Sequence, residues 1–183
     1  MLAVVIQALY FFLPAYAANA APVLLCRFKI WEGLNVPFDL NRKLAGQPFF
    51  GSTKTYRGII GGILAGMAVV FIQALIHSVL PQREYLYLIP YPLFSILWLG
   101  FLMGLGEGLG DLIKSFFKRR LGLKSGVFSF PLDQASFIGA LLLGFVYYVP
   151  PSGHIWAIII ISPLVPVIAN LVAYKIGWKK VWW

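Results

Sequence analysis

The segment from residue 104 to residue 134 contains the side chains best suited to chemistry, because it places acids within a dense group of cations. Its polar side chains include Glu107, Asp111, Lys114, Ser115, Lys118, Arg119, Arg120 and Asp133. Those at positions 111, 114, 115 and 118 share one face of a helix with 3.6 residues per turn. A membrane anchor needs such cations but has no use for the acids. The pattern therefore predicts an enzyme that acts on a metal-bound, phosphate-rich substrate at the bilayer surface.

The composition predicts an all-α integral membrane protein. Of the 183 residues, 60% are hydrophobic and only 11% are charged, which is more apolar surface than a soluble domain of this size can bury. Long uncharged runs, divided by a turn at residues 150–153, predict five transmembrane helices within a single membrane domain, residues 1–183. The expected helices cover residues 3–25, 58–80, 88–112, 134–149 and 154–175.

The Lys and Arg residues predict the orientation in the membrane. All 15 of them except Arg83 lie in segment 27–57, segment 113–133 or the C-terminal tail, and five spans place these three segments on one side. Because cytoplasmic segments are rich in Lys and Arg, we expect the N-terminus outside and the C-terminus in the cytoplasm. The two long cytoplasmic loops, 27–57 and 113–133, would then form the active site of a multi-pass protein of the cell membrane.

The net charge of +9 does not predict a nucleic-acid partner. Positive-inside bias and the attraction of anionic membrane lipids account for most of these cations. Cys26 is the only cysteine, which excludes an intrachain disulfide and any zinc site that depends on several cysteines.

Glycines spaced by four residues predict close packing between the second and third helices. Gly62 and Gly66 form one such pair and Gly100 and Gly104 form another, and small residues let the backbones of membrane helices approach each other. We expect Gly108 and Gly110 to leave room for a ligand beside the carboxylate at position 111.

The first loop ends in a segment that is suited to anions. Residues 46–55 imitate a Walker phosphate loop, but the lysine is misplaced and no strand precedes it, so we reject that motif. Backbone and hydroxyl donors of residues 51–55 nevertheless precede the second helix, next to Lys54 and Arg57. A helix N-terminus favours anions. The alternative is an N-capped helix start whose cations reach the membrane surface.

Three sequence blocks together resemble the archaeal CDP-archaeol synthases, over nearly the whole chain. They read PFDLNRKLAGQPFFGSTKTYRG, GEGLGDLIKSFFKRR and PLDQ. The resemblance implies transfer of CMP from CTP to 2,3-bis-O-(geranylgeranyl)glycerol 1-phosphate, which releases pyrophosphate, requires magnesium and serves ether phospholipid biosynthesis. The related CDP-diacylglycerol synthases have extra N-terminal helices and usually an arginine where Gln134 follows Asp133 here.

The motifs of this family fall on a defined set of residues in the chain. The set comprises Asp39, Lys54, Thr55, Arg57, Asp111, Lys114, Ser115, Lys118, Arg119, Arg120, Asp133 and Gln134. We expect Asp111 and Asp133 to bind Mg²⁺, which prefers oxygen ligands, and Lys114 and Lys118 to neutralise phosphates during catalysis. The others are predicted to bind substrate, and Glu107 either supports the site or packs the helix.

Two other functions are compatible with the same residues. A CTP-dependent lipid or polyprenol kinase would use similar acids and cations but would transfer the γ-phosphoryl group. A transporter would place charges in mid-membrane and often show internal repeats, and neither feature is present in this sequence. The predicted partners are CTP, an isoprenoid ether lipid phosphate and membrane lipids. Neither the oligomeric state nor the residues that recognise cytosine follow from the sequence.

Overall fold

Over the residues that it describes, the computed structural model is all-helical apart from one small hairpin. It describes residues 1–80, 86–92, 94–123, 127, 129, 132 and 136–177. The elements in chain order are α1 (Leu2–Arg27), a 3₁₀ turn (Glu32–Leu34), β1 (Lys43–Leu44), β2 (Gln47–Pro48), α2 (Tyr56–Val79), α3 (Ile96–Arg120), α4 (Ser136–Tyr147), α5 (Ser152–Ile161) and α6 (Leu164–Lys175).

Four helical segments of the described chain are long and apolar enough to cross a membrane. They are Leu2–Arg27, Tyr56–Val79, Ile96–Arg120 and the combined segment Ser152–Lys175. The class of an all-α membrane protein is therefore confirmed. Helix α4 has only 12 residues, which at 1.5 Å per residue is shorter than a hydrocarbon core of about 30 Å. The fourth predicted span, residues 134–149, is thus present as a shorter apolar helix.

The predicted bounds of the third helix are wrong. It was expected over residues 88–112, but α3 begins at Ile96 and continues to Arg120. Pro90 and Pro92 explain the late start, since proline cannot donate a helical hydrogen bond and disfavours helical geometry in the residue before it. The acids and cations of the second sequence block therefore lie on a continuous helix, and residues 113–120 do not form a loop.

The expected last helix is interrupted. Helices α5 and α6 are separated by Ser162 and Pro163, because the proline nitrogen has no hydrogen to donate to the preceding turn. The turn predicted at residues 150–153 is partly confirmed, since α4 ends at Tyr147 and α5 begins at Ser152.

Glycines bring α3 against two neighbouring helices. A Cβ atom on Gly66 would lie 2.7 Å from the Gly100 carbonyl oxygen, and one on Gly104 would lie 2.7 Å from the Ile63 Cα. The predicted contact between α2 and α3 is therefore confirmed. On the other side of α3, Gly106 meets the carbonyl oxygen of Gly139 in α4. This close packing fixes the helix that carries most of the predicted site.

Candidate active site

Asp111 is held between two lysines that come from different parts of the chain. Lys114 Nζ lies 2.8 Å from Asp111 Oδ1, one helical turn away, and Lys54 Nζ lies 2.5 Å from Asp111 Oδ2. The side chain of Asp111 is 28% exposed and that of Lys114 is 12% exposed. The carboxylate can balance only one of two ammonium charges, so this group keeps a net positive charge. Such a group suits a polyanion.

A cavity of about 180 Å³, here called the central cavity, opens beside this group between α1, α2 and α3. Of the predicted site residues that the structure describes, Lys54, Thr55 and Asp111 line it. Asp111 and Lys54 give the cavity its charged lining, and Ile59 and Val23 form part of its apolar wall. The cavity therefore offers both a polar and an apolar surface at one end of the bundle.

Sequence reasoning missed Asn19 and left the role of Glu107 open. Glu107 is 4% exposed, and its Oε1 accepts a hydrogen bond of 2.5 Å from Asn19 Nδ2. The Ser136 side chain also forms a hydrogen bond with Glu107. A carboxyl group at this depth needs such partners, and these connect α1, α3 and α4 at the wall of the central cavity. The signal in the sequence was an asparagine within a largely apolar helix.

Glycine 108 lines the central cavity as predicted, whereas Gly110 does not. A Cβ atom on Gly110 would lie 2.5 Å from the Ser136 carbonyl oxygen. The expectation that Gly110 leaves room for a ligand is therefore wrong, because helix α4 packs against it. A Cβ atom on Gly108 would meet only the side chain of Ile59, at 3.6 Å.

The remaining cations of α3 lie beyond the central cavity. Lys118 is 6% exposed and its Nζ donates a 2.5 Å hydrogen bond to the Val127 carbonyl oxygen. Arg119 is also buried, and its Nε has no hydrogen-bond partner among the described residues. The Arg119 Cδ approaches Gly51, where an added Cβ atom would be 3.9 Å away. Ser115 is buried on the same helix.

The chain before α2 folds back on itself to form what we call the loop hairpin, residues 36–56. Its base is closed by hydrogen bonds from Phe38 N to Lys54 O (2.6 Å) and from Tyr56 N to Val36 O (3.1 Å). Its tip contains the paired strands β1 and β2. Thr55 ends the hairpin and caps α2, since its Oγ1 accepts a hydrogen bond of 3.2 Å from Gly58 N. Arg57 follows in the first turn and is buried.

Asp39 holds the two sides of the loop hairpin together. Its Oδ1 accepts from Asn41 N at 3.0 Å, and its Oδ2 accepts from Phe50 N at 2.8 Å and from Gly51 N at 3.1 Å. Burial alone would raise the pKa of Asp39, but these backbone donors outweigh it and hold the pKa below the ordinary value. The side chain predicted to bind substrate is thus engaged by its own loop.

Acidification should loosen the loop hairpin through Asp39. A carboxyl group whose pKa is lowered by folding contributes stability above its unfolded pKa of about 3.9, and this contribution is lost as the pH falls through the folded pKa. Hydrogen exchange in residues 36–56, corrected for intrinsic rates, should therefore be slow at pH 5 and faster at pH 3, with the acceleration beginning below about pH 4. Asp39→Asn should exchange quickly at both pH values. Equal protection of the variant and the parent at pH 5 would contradict this role.

Arg120 lies at the end of α3 and contacts the loop hairpin. Its Nη1 donates to Leu44 O at 2.9 Å, and its Nη2 donates to Pro48 O at 2.6 Å and to Gln47 O at 3.3 Å. All three are contacts with backbone oxygens, and substrate binding by Arg120 stays a prediction. Asp133 and Gln134, which were also predicted to belong to the site, lie outside the described residues.

The fold and the site define a class of protein, an all-α membrane protein with a cationic, carboxylate-containing cavity. The chain belongs to the CDP-archaeol synthase family, since the family model described as CarS-like, CDP-archaeol synthase, matches residues 1–183. The resemblance read from the three sequence blocks is therefore confirmed.

Relatives that carry the name CDP-archaeol synthase match nearly the full length. The protein of Pyrococcus furiosus is 35% identical to this chain, and the alignment covers 98% of both chains. The protein of Thermococcus onnurineus is 39% identical to this chain, and the alignment covers 96% of this chain and 95% of the relative. A solved structure described as "an intramembrane enzyme for archaeal membrane lipids biosynthesis" is similar, with a TM-score of 0.69 and 28% identity over 94% of this chain and 95% of that chain.

Proposed function

We propose that the protein transfers CMP from CTP to an unsaturated isoprenoid ether lipid phosphate, 2,3-bis-O-(geranylgeranyl)glycerol 1-phosphate, and releases pyrophosphate. Membership of the family supports a CTP-dependent cytidylyltransferase of lipid biosynthesis. The observation that carries the proposal is the carboxylate of Asp111 between Lys54 and Lys114 at the wall of the central cavity. This group has the charges that a triphosphate and a lipid phosphate both require.

The reaction joins two anions. A lipid phosphate oxygen attacks the α-phosphorus of CTP, and the bond from that phosphorus to the oxygen that bridges the α- and β-phosphorus atoms breaks. That oxygen leaves as a terminal oxygen of the pyrophosphate. The lipid phosphate is already largely ionised near pH 7, because its second pKa is about 6, so no strong base is needed. The work of the protein is to hold both groups in line and to offset their charge. Lys54 and Lys114 are placed to do so.

Magnesium fits the donor chemistry of this site. Mg²⁺ is commonly held by one or two carboxylates together with substrate phosphates and waters, and Asp111 offers a carboxylate at the cavity wall. Within the described residues no three His, Cys, Asp or Glu side chains come together, so the substrate phosphates would supply other ligands. Asp133 remains the second predicted ligand. When bound, the ion would withdraw charge from the phosphate oxygens.

The lipid has an apolar route to the central cavity. A second cavity of about 180 Å³ lies between α1 and α6 and shares Asn19 and Val23 with the central cavity. Its other walls are largely apolar and include Leu24, Val165 and Ala169. An isoprenoid chain seated there would bring its phosphate to the polar side chains near Asn19.

The predicted orientation places the central cavity on the cytoplasmic side, and cysteine labelling tests it. In a Cys26→Ser background, a cysteine at Ser52 in the loop hairpin should react with an impermeant maleimide only from the cytoplasmic face. A cysteine at Ser152, at the start of α5, should react only from outside. Labelling of both positions from one face would contradict an odd number of crossings between them.

A panel of lipid acceptors tests the proposed reaction. Purified protein should convert CTP and the ether lipid phosphate into CDP-lipid and pyrophosphate in equal amounts, and should ignore an unphosphorylated polyprenol. Phosphorylation of the polyprenol with release of CDP would instead establish the kinase alternative. ATP in place of CTP is the matched control and should give little product if the base is recognised.

A further inference from the structure

We propose that Arg120 is a positioning residue that docks the loop hairpin on α3 and thereby sets the place of Lys54 in the active site. The inference rests on the proposed function, because Lys54 matters through its contact with Asp111 in the central cavity. Arg120 itself is far from this contact along the helix, at nine residues or roughly 13 Å. Its action on the reaction would therefore pass through the loop.

The guanidinium of Arg120 is suited to this docking. It reaches three backbone carbonyl oxygens, those of Leu44, Gln47 and Pro48, at distances from 2.6 to 3.3 Å. All three belong to the strands at the hairpin tip. A guanidinium presents five donors in a fixed planar fork, whereas an ammonium is a point charge on a flexible stem. A lysine at position 120 would keep the charge and lose this geometry.

Aromatic rings reinforce the same contact. The Arg120 guanidinium carbon lies 5.0 Å from the centre of the Phe116 ring, one turn earlier on α3. The Phe116 ring in turn lies 5.2 Å from that of Phe49, which directly follows β2. A cation over an aromatic face and two adjoining rings are favourable contacts. The hairpin tip is thus attached to α3 by both its backbone and its side chains.

The loop hairpin transmits this contact to Lys54. Phe50 follows Phe49 and donates to Asp39, and Phe38 beside Asp39 donates to the Lys54 carbonyl at 2.6 Å. The hairpin therefore contacts α3 through Arg120 at its tip and through Lys54 at its base.

Backbone geometry indicates that the hairpin needs such external support. Leu40, Asn41 and Ala45 have φ angles of 49°, 60° and 51°. Left-handed geometry is unfavourable for residues other than glycine, least so for asparagine, and persists where surrounding contacts enforce it. Releasing the tip should therefore let the loop leave its docked arrangement for part of the time.

The test combines a distance measurement with kinetics. In a Cys26→Ser background, spin labels at Lys43→Cys on the hairpin and Ile113→Cys on α3 should give a narrow distance distribution. Arg120→Lys and Arg120→Ala should both broaden it. Arg42→Ala, which removes an exposed cation from the same loop, is the matched control and should change nothing.

The Arg120 variants should raise KM for CTP much more than they change kcat. If the docked loop is populated about one tenth of the time, the apparent affinity for CTP falls about tenfold, while kcat of the docked enzyme changes less than about threefold. Arg120→Lys preserves the charge but loses the planar fork of donors. Its KM for CTP should therefore be raised, as it is in Arg120→Ala. A narrow distance distribution in both variants would overturn the proposal, and so would a broad distribution with an unchanged KM for CTP.

Failure of the proposed reaction would be recognised separately. The distance distributions and the equilibrium binding of CTP to the detergent-purified protein need no turnover. A parent protein that binds CTP but forms no CDP-lipid would contradict the proposed function. Weaker CTP binding in Arg120→Lys than in Arg42→Ala would still support the role of Arg120, and equal binding would contradict it.

Discussion

Replacing Asp111 with asparagine should reduce CMP transfer at least a hundredfold. The variant loses two charge-assisted contacts, to Lys54 and to Lys114, each worth roughly 1.5–3 kcal/mol. It also loses the carboxylate that is proposed to hold Mg²⁺. A total of about 3 kcal/mol or more corresponds to two or more factors of ten in rate. The measurement is kcat/KM for CTP in detergent at saturating lipid phosphate.

The control for this variant separates chemistry from folding. Glu32→Gln removes an exposed carboxylate from the same end of the molecule and should leave kcat/KM within about twofold. Both variants should elute as the parent does on size exclusion. Activity of Asp111→Asn within threefold of the parent would show that this carboxylate is not essential.

Adding a single methyl group at Gly106 should strongly destabilise the helix bundle. A Cβ atom there would collide with the Gly139 carbonyl of α4, and a backbone atom cannot move aside as a side chain can. Overpacking costs typically 1–3 kcal/mol. We therefore expect Gly106→Ala to lower the Tm in detergent by several degrees, at about 2–4 °C per kcal/mol for a chain of this length.

Gly108→Ala is the matched control on the same helix. Its new methyl group would meet only the Ile59 side chain, at 3.6 Å, which is an ordinary contact. Its Tm should stay within about 1–2 °C of the parent, a fraction of a typical overpacking penalty. A Tm loss as large as that of Gly106→Ala would show that α3 tolerates no substitution, and the specific fit against α4 would be refuted.

Local periodicity was sufficient to predict much of this arrangement. The face shared by Asp111 and Lys114 follows from helical geometry, and the two side chains are in contact in the structure. The glycines of α2 and α3 likewise meet as their spacing predicted. These features depend on residues three to four positions apart, or on two helices that adjoin each other in sequence.

Contacts between distant segments could not be read from the same patterns. The approach of Lys54 to Asp111 joins residues 57 positions apart, and that of Arg120 to Leu44 joins residues 76 apart. The cations of the sequence blocks look equivalent in a sequence, although Arg120 binds backbone carbonyls and Lys54 faces a cavity. Asp39 is similar, since only the folded loop shows that backbone donors surround it.

The boundaries of α3 could not be predicted accurately from the sequence, for a different reason. Apolar residues 86–92 continue the hydropathy of α3, so the uncharged run suggested a start at residue 88, whereas the prolines delay it to Ile96. At the other end, the cations after Asp111 suggested a loop. Long aliphatic stems make Lys and Arg good helix formers. Lys118, Arg119 and Arg120 also lie in the last turn of α3, where the helix dipole favours positive charge.

Position-specific labelling of CTP tests the central claim most directly. The parent protein and Asp111→Asn are incubated with the ether lipid phosphate and CTP labelled at either the α- or the γ-phosphorus, and the lipid is then extracted. We expect α-label in the lipid with the parent, near-background α-label with Asp111→Asn, and γ-label only as aqueous pyrophosphate. Label from the γ-phosphorus in the lipid, or undiminished α-label with Asp111→Asn, would contradict it.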